Sequence, residues 1–242
     1  MVTPRFFVEL PLTEGHVFDL SEDAVHHVQV RRLKAGMPIV LFNGRNGEWL
    51  ATIGHIGRST VQVRVGKHQA VDRELACHVT IAIAMPANER MDPLVEKLTE
   101  LGVAAIQPLV SERSVLRPAG ERAVRKREHW QAIAAAASEQ CGRTKVPRIE
   151  PVRALDQWLT GLPEGALESR WLLSLRGADP LAAQLASHLP RALVTLSGPE
   201  GGFTAAEEVA ALQRGFVAIS LGARVLRADT APLALLAAVA LA

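Results

Sequence analysis

Hydrophobic and polar residues follow a strand-like pattern in the first part of the chain. Short runs rich in β-branched and aromatic residues predict strands at RFFVEL (5–10), PIVLFNG (38–44), EWLATIGHI (48–56) and TVQVRVG (60–66). Asn-Gly pairs at 43–44 and 46–47 supply turn residues near these runs. One segment, 21–33, has helical spacing, with Ser21 as its predicted N-cap. Short strands at this spacing predict a small β-barrel.

From about residue 76 the pattern changes to strands that alternate with amphipathic helices. The predicted strands are 78–85, 104–110, 170–175, 192–198 and 216–222, and the predicted helices are 89–102, 121–140, 154–159, 180–189, 204–214 and 229–241. This alternation predicts an α/β fold with a parallel sheet covered on both faces. A polar stretch at 68–77 separates the two patterns, so we predict domains at 1–72 and 73–242.

Composition excludes several classes of protein. The 242 residues are 48% hydrophobic and 21% charged, as in an ordinary globular protein. The longest apolar run, 231–242, is too short to span a bilayer, and the first residues do not resemble a secretory signal. Cys77 and Cys141 form no Cys-x-x-Cys motif, and the eight histidines show no metal-ligand spacing. We therefore expect a cytoplasmic protein with no metal and no membrane contact.

Charge is unevenly distributed, although the net charge is only +2. Between Arg113 and Arg148 there are nine Arg/Lys and three acidic residues, which gives this segment +6 and leaves −4 for the rest. One basic region on an otherwise slightly acidic chain indicates a polyanionic partner, although a solvated helix face would give the same pattern.

Two turns poor in side-chain bulk follow predicted strands. SGPEGGF (197–203) fits neither a P-loop nor a Rossmann fingerprint, and it is compatible with an ordinary strand-to-helix turn. The second, within SLGARVLRADTAPLA (220–234), also follows an apolar strand and enters a helix. Loops at the carboxyl ends of parallel strands line one crevice, so together the two turns predict a pocket for an adenosine-like group. Arg224, Arg227 and Asp229 would lie beside it.

These two stretches together resemble the ribosomal RNA small subunit methyltransferase E family. Its members are SPOUT-class enzymes that methylate N3 of a uridine in 16S rRNA with S-adenosylmethionine. Further similar stretches occur in the same order at PRFFV (4–8), HHVQVRRLKAG (26–36), ERMDPLVEKLTELGV (89–103), SERSV (111–115) and 129–149. The chain departs from the family pattern at Ala87-Asn88, where Lys-Gly is common, at Cys141, where Ser is common, and at Asp229-Thr230-Ala231, where Glu-Thr-Ala is common.

The resemblance implies an N-terminal PUA-like barrel, a C-terminal trefoil knot that forms the cofactor pocket, and a homodimer. The cofactor-binding residues it implies are Leu196, Gly198, Pro199, Glu200, Gly201, Gly202, Leu221, Gly222, Leu226, Thr230 and Ala231. Uracil N3 carries a proton, so catalysis needs a proton acceptor and a cation for the developing charge. Our hypothesis is that Arg227 supplies the cation and that Asp229, Glu139 or Glu200 supplies the carboxylate.

Basic side chains are the candidates for holding 16S rRNA or the small ribosomal subunit. They are Arg5, Arg31, Arg32, Arg113, Arg117, Arg122, Arg125, Lys126, Arg127 and Arg143. Two alternatives stay open: another SPOUT activity, such as ribose 2′-O methylation of tRNA, and a non-catalytic RNA-binding protein. The whole-chain likeness favours the rRNA enzyme over another SPOUT activity, and the intact GPEGG and LRADTA stretches favour catalysis over a non-catalytic protein.

Overall fold

The computed structural model describes residues 3–45, 47–165, 167–187 and 189–242. Asn46, half of one predicted Asn-Gly turn, lies outside the described residues. Close contacts divide the chain into two units: the first comprises the residues up to Glu74 together with Ser138–Val146, and the second comprises Leu75–Ala137 and Pro147–Ala242. The segment 138–146 therefore belongs with the N-terminal unit, beyond the boundary predicted near residue 72.

In its described residues, the first unit contains a five-stranded sheet and the helix α1. Its elements are β1 (Arg5–Phe7), β2 (Val17–Asp19), α1 (Glu22–Val30), β3 (Pro38–Phe42), β4 (Glu48–Ile56) and β5 (Val61–Gln69). The strand order is β1-β3-β4-β5-β2, in which β1 and β3 are parallel and the other pairs are antiparallel. Ser21 is the N-cap of α1, as predicted, and its hydroxyl accepts from Ala24 N at 3.4 Å.

Alternation along the strands places one face of this sheet on a hydrophobic core. In β5, Val61, Val63 and Val65 are buried while the intervening residues are exposed. Their side chains belong to the same cluster as Phe6 of β1 and Val28 of α1. Burial of this apolar face is what stabilises the unit.

A buried carboxylate organises the charges of the first unit. Glu48 is 4% exposed, and Oε2 accepts from Arg5 Nη1 at 2.5 Å and from Arg73 Nη1 at 2.9 Å. The same two guanidiniums reach the segment 138–146, since Arg5 donates to Arg143 O at 2.9 Å and Arg73 donates to Gly142 O at 3.0 Å. These bonds explain why a segment so distant in sequence joins this unit.

The second unit contains the predicted parallel sheet, which is confirmed. Its elements are β6 (His78–Ala84), α2 (Asn88–Glu100), β7 (Ala105–Val110), α3 (Glu121–Cys141, whose last turn belongs to the first unit), β8 (Arg148–Ile149), β9 (Arg153–Ala154), α4 (Leu155–Thr160), β10 (Ser169–Leu173), β11 (Asp179–Pro180), α5 (Leu181–Ser187), β12 (Ala192–Ser197), α6 (Ala205–Gln213), β13 (Val217–Ser220) and α7 (Thr230–Ala240).

All recorded strand pairs of this sheet are parallel, in the order β11-β13-β10-β12-β6-β7-β8, with β9 also on β7. The short strands β8, β9 and β11 escaped sequence analysis because two residues are too few to show periodicity. None of the helices within the described part of the chain is long and apolar enough to cross a membrane.

Burial by itself would raise the pKa of Glu48, but hydrogen bonds from Arg73 and Arg5 outweigh it, so the pKa lies below its usual value. The stabilisation is therefore present above the pKa of an unfolded glutamate and is lost as the pH falls through the lower, folded value. We expect Glu48→Gln to lower the free energy of unfolding at neutral pH by about 2–4 kcal/mol, because it leaves two guanidiniums without a counter-charge. Urea unfolding at several pH values measures this.

The difference between Glu48→Gln and the unmutated protein should shrink on acidification below about pH 4, where an unfolded glutamate is protonated. Glu14→Gln, at an exposed position, is the matched control. It should change neither the free energy of unfolding at neutral pH nor its dependence on pH. An unfolding free energy of Glu48→Gln equal to that of the control would show that this network does not stabilise the fold.

Candidate active site

Five loops meet at the carboxyl edge of the parallel sheet. They follow β6, β7, β10, β12 and β13, and parallel strands place all these ends on the same side. Between them lies a cavity of about 650 Å³, within the range of small-molecule sites. Its lining comprises Arg90, Arg113, Leu173–Arg176, Ser197–Phe203, Glu208, Ile219, Leu221, Arg224–Ala228 and Ala231.

The glycine-rich loop after β12 is a tight turn that presents bare backbone. Gly202 N donates to Pro199 O at 2.8 Å, and Gly202 has φ +65°, a conformation that favours glycine. A Cβ on Gly198 would lie 3.3 Å from backbone atoms of Gly202 and Phe203, so the turn closes over a position that only glycine fits without a shift. A ligand can therefore approach the main chain closely here.

Thr204 fixes the direction in which the chain leaves this turn. Its hydroxyl accepts from Glu207 N at 3.3 Å, and Glu207 Oε2 accepts from Thr204 N at 2.9 Å. This capping box begins α6 immediately after the turn. The turn is thus held between a buried strand and a capped helix.

A further feature of the cavity fits a ligand with polar groups. Ser197 Oγ is buried in the cavity lining and has no hydrogen-bond partner within the described part of the chain. A buried hydroxyl without a partner is costly, and a ligand in the cavity would satisfy it. Together with the bare turn, this donor set suits a nucleoside-like cofactor held by backbone and hydroxyl groups.

The loop between β13 and α7 forms the facing wall. Gly222 has φ +108° and its N–H donates to Ser220 Oγ at 3.2 Å, which turns the chain back over the sheet edge. Arg227 O then accepts from Thr230 N and Ala231 N, both at 3.0 Å, where α7 begins. Between these points Val225 lines the cavity although it is 82% exposed, and the exposed Arg224 and Arg227 line it beside Val225, so this wall offers both apolar and cationic groups.

Arginines dominate the charge of the cavity. Its lining contains five arginines and two glutamates. One of the arginines, Arg90, is close to two carboxylates: its Nη1 lies 3.7 Å from Glu200 Oε1 and 3.9 Å from Asp229 Oδ1. The excess of positive charge makes this rim suitable for an anionic substrate.

The two carboxylates beside Arg90 differ in how they are engaged. Glu200 Oε1 accepts a hydrogen bond from Ala87 N at 3.0 Å. Asp229 occupies the N-cap position of α7 but makes no capping hydrogen bond, and its Oδ1 is buried without a hydrogen-bond partner among the described residues. Asp229 therefore keeps a buried oxygen without a hydrogen-bond partner in the described part of the chain, although it is a sequence neighbour of the lining residue Ala228 and only Glu200 of the two lines the cavity.

Most of the predicted cofactor residues line the cavity. These are Gly198, Pro199, Glu200, Gly201, Gly202, Leu221, Leu226 and Ala231, and the predicted cation Arg227 joins them. Leu196, Gly222 and Thr230 are neighbours of lining residues but are not themselves in the lining. Leu196 is fully buried in β12, the strand that leads into the turn.

Glu139, the third predicted carboxylate, is in the first unit, outside the cavity lining. It accepts from Phe7 N at 2.9 Å and lies 3.5 Å from His27 Nδ1. Burial raises the pKa of Glu139, although the Phe7 hydrogen bond and nearby His27 and Arg31 oppose the shift. These contacts account for the residue structurally.

The predicted RNA-binding residues fall into three groups. Arg31, Arg32, Arg122 and Arg125 are exposed, and Lys126 lies partly exposed with its ammonium 6.0 Å from the centre of the Trp130 ring. Three others are engaged in the fold: Arg5 by Glu48, Arg143 by Glu74 and Arg127 by Ile149 O. Arg143 is only 5% exposed, so a phosphate could not reach it without breaking its ion pair. Arg113 lines the cavity instead, and Arg117 donates to Ser114 O and Glu112 O.

Sequence analysis missed several cavity residues. Arg90 lies in the first turn of α2, and Leu173–Arg176 comprises the end of β10 and the residues after it; neither place has a glycine cluster, and the similar stretch 89–103 gave Arg90 no role. Both follow apolar strands of the sheet, and their position at a strand's carboxyl end was the available signal. No cluster of metal-binding side chains occurs in the part of the chain that the structure describes.

Comparison with known proteins shows which family this chain resembles over nearly its whole length. The model for an RNA methyltransferase domain matches residues 73–240, and that for an RNA methyltransferase PUA domain matches residues 20–66. The ribosomal RNA small subunit methyltransferase E of Bacillus subtilis (strain 168) is 32% identical over 97% of this chain and 95% of its own length. The chain belongs to the ribosomal RNA small subunit methyltransferase E family. Both the predicted family and the predicted N-terminal PUA domain are thus confirmed.

Two further members of this family support the comparison. The Synechocystis protein is 32% identical over 98% of this chain and 75% of its own length. The crystal structure of the ribosomal RNA small subunit methyltransferase E from Neisseria gonorrhoeae, bound to S-adenosylmethionine, has a TM-score of 0.91 and 34% identity over 98% of this chain and 96% of that one. The α/β fold that we predicted is the fold of the methyltransferase E family.

Proposed function

We propose that this protein transfers the methyl group of S-adenosylmethionine to N3 of a uridine in the 16S rRNA of the small ribosomal subunit. S-adenosylmethionine-dependent methylation of rRNA is the activity of the family to which the chain belongs. The observation that carries the proposal is the cavity in which the bare turn 198–202 faces the loop 221–228. N3 as the acceptor atom rests on the resemblance of the two motifs.

Residues of the turn would hold the cofactor through the main chain. The Gly198–Gly202 backbone and the unpartnered Ser197 hydroxyl offer hydrogen-bonding groups without side-chain bulk. The apolar Leu221, Val225 and Leu226 offer a surface for a flat ring. When bound, S-adenosylmethionine supplies an electrophilic methyl group on a sulfonium, and its sulfur keeps the electron pair of the broken C–S bond.

The protein must also remove a proton, because neutral uracil has N–H at position 3. We assign this step to Asp229: its carboxylate takes the proton, and the N–H electron pair becomes the lone pair that bonds the methyl carbon. Its buried, unpartnered Oδ1 supports this assignment. Arg90, 3.9 Å away, balances the charge of Asp229 and holds the carboxylate at the cavity edge.

Arg227 has the position needed to stabilise the acceptor. As the proton leaves, negative charge spreads onto the two carbonyl oxygens of uracil. The Arg227 side chain lines the cavity and makes no hydrogen bond or ion pair within the described part of the chain, so its guanidinium is available to such an oxygen. Arg227 begins the turn into α7, two residues before Asp229, so one loop carries both groups.

The homodimer, the cytoplasmic location and the trefoil knot belong to the same proposal. The dimer is supported by α7, which consists of apolar and small residues throughout apart from its first. Pro232, Leu235, Leu236 and Val239 are buried within the protein, while the other positions of this helix keep exposure that a second copy would cover. The knot rests on the family resemblance.

Mass spectrometry of nucleosides tests the activity directly. The protein is incubated with deuteromethyl S-adenosylmethionine and with small subunits, naked 16S rRNA or tRNA from cells that lack its gene. We expect labelled 3-methyluridine in one of the two 16S samples, and little in a Gly198→Ala control, whose Cβ would disturb the turn. Labelled 2′-O-methyl nucleosides in tRNA would replace this function by another SPOUT activity. Binding of S-adenosylhomocysteine without any labelled product would indicate a non-catalytic RNA-binding protein.

Asp229→Asn tests the proton acceptor. The amide keeps the shape of the side chain but cannot accept the proton, so we expect kcat to fall by about 10²- to 10⁴-fold. Affinity for S-adenosylhomocysteine should stay within about threefold, since the cofactor is held by backbone groups. Asp156→Asn, the same change near the start of α4 and away from the cavity lining, is the matched control. Turnover of Asp229→Asn near that of the control would rule Asp229 out as the acceptor.

Salt dependence tests the RNA interface. Replacing Arg122, Arg125 and Lys126 of α3 by Gln should weaken RNA binding and make the slope of log affinity against log salt shallower by about two, as for three lost phosphate contacts on single-stranded RNA. The control replaces Lys97, Arg153 and Arg191, which are exposed basic residues elsewhere in the second unit. Equal slopes for the two triple variants would mean that α3 presents only a solvated face.

A further inference from the structure

Arg113, predicted as an RNA contact, is directed at the glycine-rich turn. It follows β7 and lines the cavity, and its Nη1 donates to Gly201 O at 2.9 Å. A longer contact of 3.5 Å reaches Phe203 O. Both acceptors are main-chain carbonyls of the loop that leaves β12, so the guanidinium joins two loops that are distant in sequence.

The loop that carries Arg113 is itself braced. Ser111 N donates to Ser114 Oγ at 3.0 Å, and Arg117 Nε donates to Ser114 O at 2.9 Å. Glu112 N donates to Glu207 Oε1 at 2.8 Å, while the other oxygen of Glu207 belongs to the capping box of α6. Hydrogen bonds thus hold the backbone of this loop on both sides of Arg113, at Ser111 and Glu112 before it and at Ser114 after it.

The stem of Arg113 also packs on the turn. A Cβ added to Gly201 would lie 3.2 Å from Arg113 Cβ and 3.4 Å from Arg113 Cδ. A side chain at position 201 would push the arginine away, so glycine at this position permits the contact. Arg113 and Gly201 therefore fit each other in shape as well as through a hydrogen bond.

We propose that Arg113 is a positioning residue of the cofactor site, an inference that rests on the proposed function. In the turn, Pro199 O is held by Gly202 N, and Gly201 O is held by Arg113. With both carbonyls fixed, the turn keeps one shape before the ligand arrives. Without Arg113, binding would have to order the turn, and that entropic cost would reduce affinity.

This role differs measurably from a phosphate contact. An arginine that binds only phosphate contributes to RNA affinity and its salt dependence, and cofactor affinity measured without RNA does not depend on it. Arg113 donates to carbonyls that belong to the cofactor turn, so its loss should be felt in the absence of RNA.

Calorimetry with S-adenosylhomocysteine, without RNA, tests the inference. Arg113→Met keeps most of the apolar stem but removes the donors, and we expect affinity about tenfold weaker, as for the loss of a charge-assisted hydrogen bond. Arg113→Lys keeps a charged donor but not the planar group and should fall between Arg113→Met and the unmutated protein. Arg191→Met removes the same charge at an exposed position before β12, and it should bind like the unmutated protein.

Two results would overturn the inference, and they have different consequences for the proposed function. If Arg113→Met and Arg113→Lys bind S-adenosylhomocysteine as tightly as Arg191→Met, Arg113 does not position the site, and the proposed function stands. If the unmutated protein itself does not bind, the proposed function falls together with the inference. Urea unfolding of each variant verifies that affinities are compared between folded proteins, and Arg113→Lys keeps the test open if Arg113→Met unfolds.

Discussion

The parallel direction of the strands in the second unit is the constraint on which the rest of the site depends. Strands that run the same way end at the same edge, so the loops after β6, β7, β10, β12 and β13 have to meet there. The first of these loops follows Ala84 and the last follows Ser220, so they are distant along the sequence. Together they nevertheless line one cavity. The catalytic candidates therefore stand on loops, while the sheet beneath them supplies the rigidity.

Within that cavity, backbone and side chains divide the chemistry. The turn 198–202 offers main-chain groups, which suit a cofactor that must be held without steric conflict. Charged side chains surround the place where the acceptor would lie: Arg227 without a partner among the described residues, and Asp229 beside Arg90. Under the proposed function, this division separates cofactor binding from proton transfer, so we expect different substitutions to disturb the two.

Arginine serves different purposes in this protein, and its neighbours decide which. In the first unit Arg5 and Arg73 balance the buried Glu48 and tie the segment 138–146 to the sheet. On α3 the exposed Arg122 is free to meet a polyanion, whereas Arg113 donates to carbonyls of the glycine-rich turn. A count of basic residues along the sequence cannot separate these cases, because it records charge and not the acceptor that each guanidinium meets.

The sequence by itself determined the different hydrophobic patterns of the two units, most helices and strands, the turns poor in side chains, and the family. These follow from local properties: periodicity, capping residues such as Ser21, and glycines where φ is positive. The roles of Arg90 and Arg113, and the place of Glu139 in the first unit, were decided only by the tertiary structure. The contacts of Arg90 and Arg113 depend on β12 lying next to β6, and β6 next to β7, which is a matter of strand order, whereas Glu139 is placed by its hydrogen bond from Phe7 N of β1. Strand order brings together side chains that no local pattern relates, because hydrogen bonds between strands act across space and leave no mark on sequence spacing.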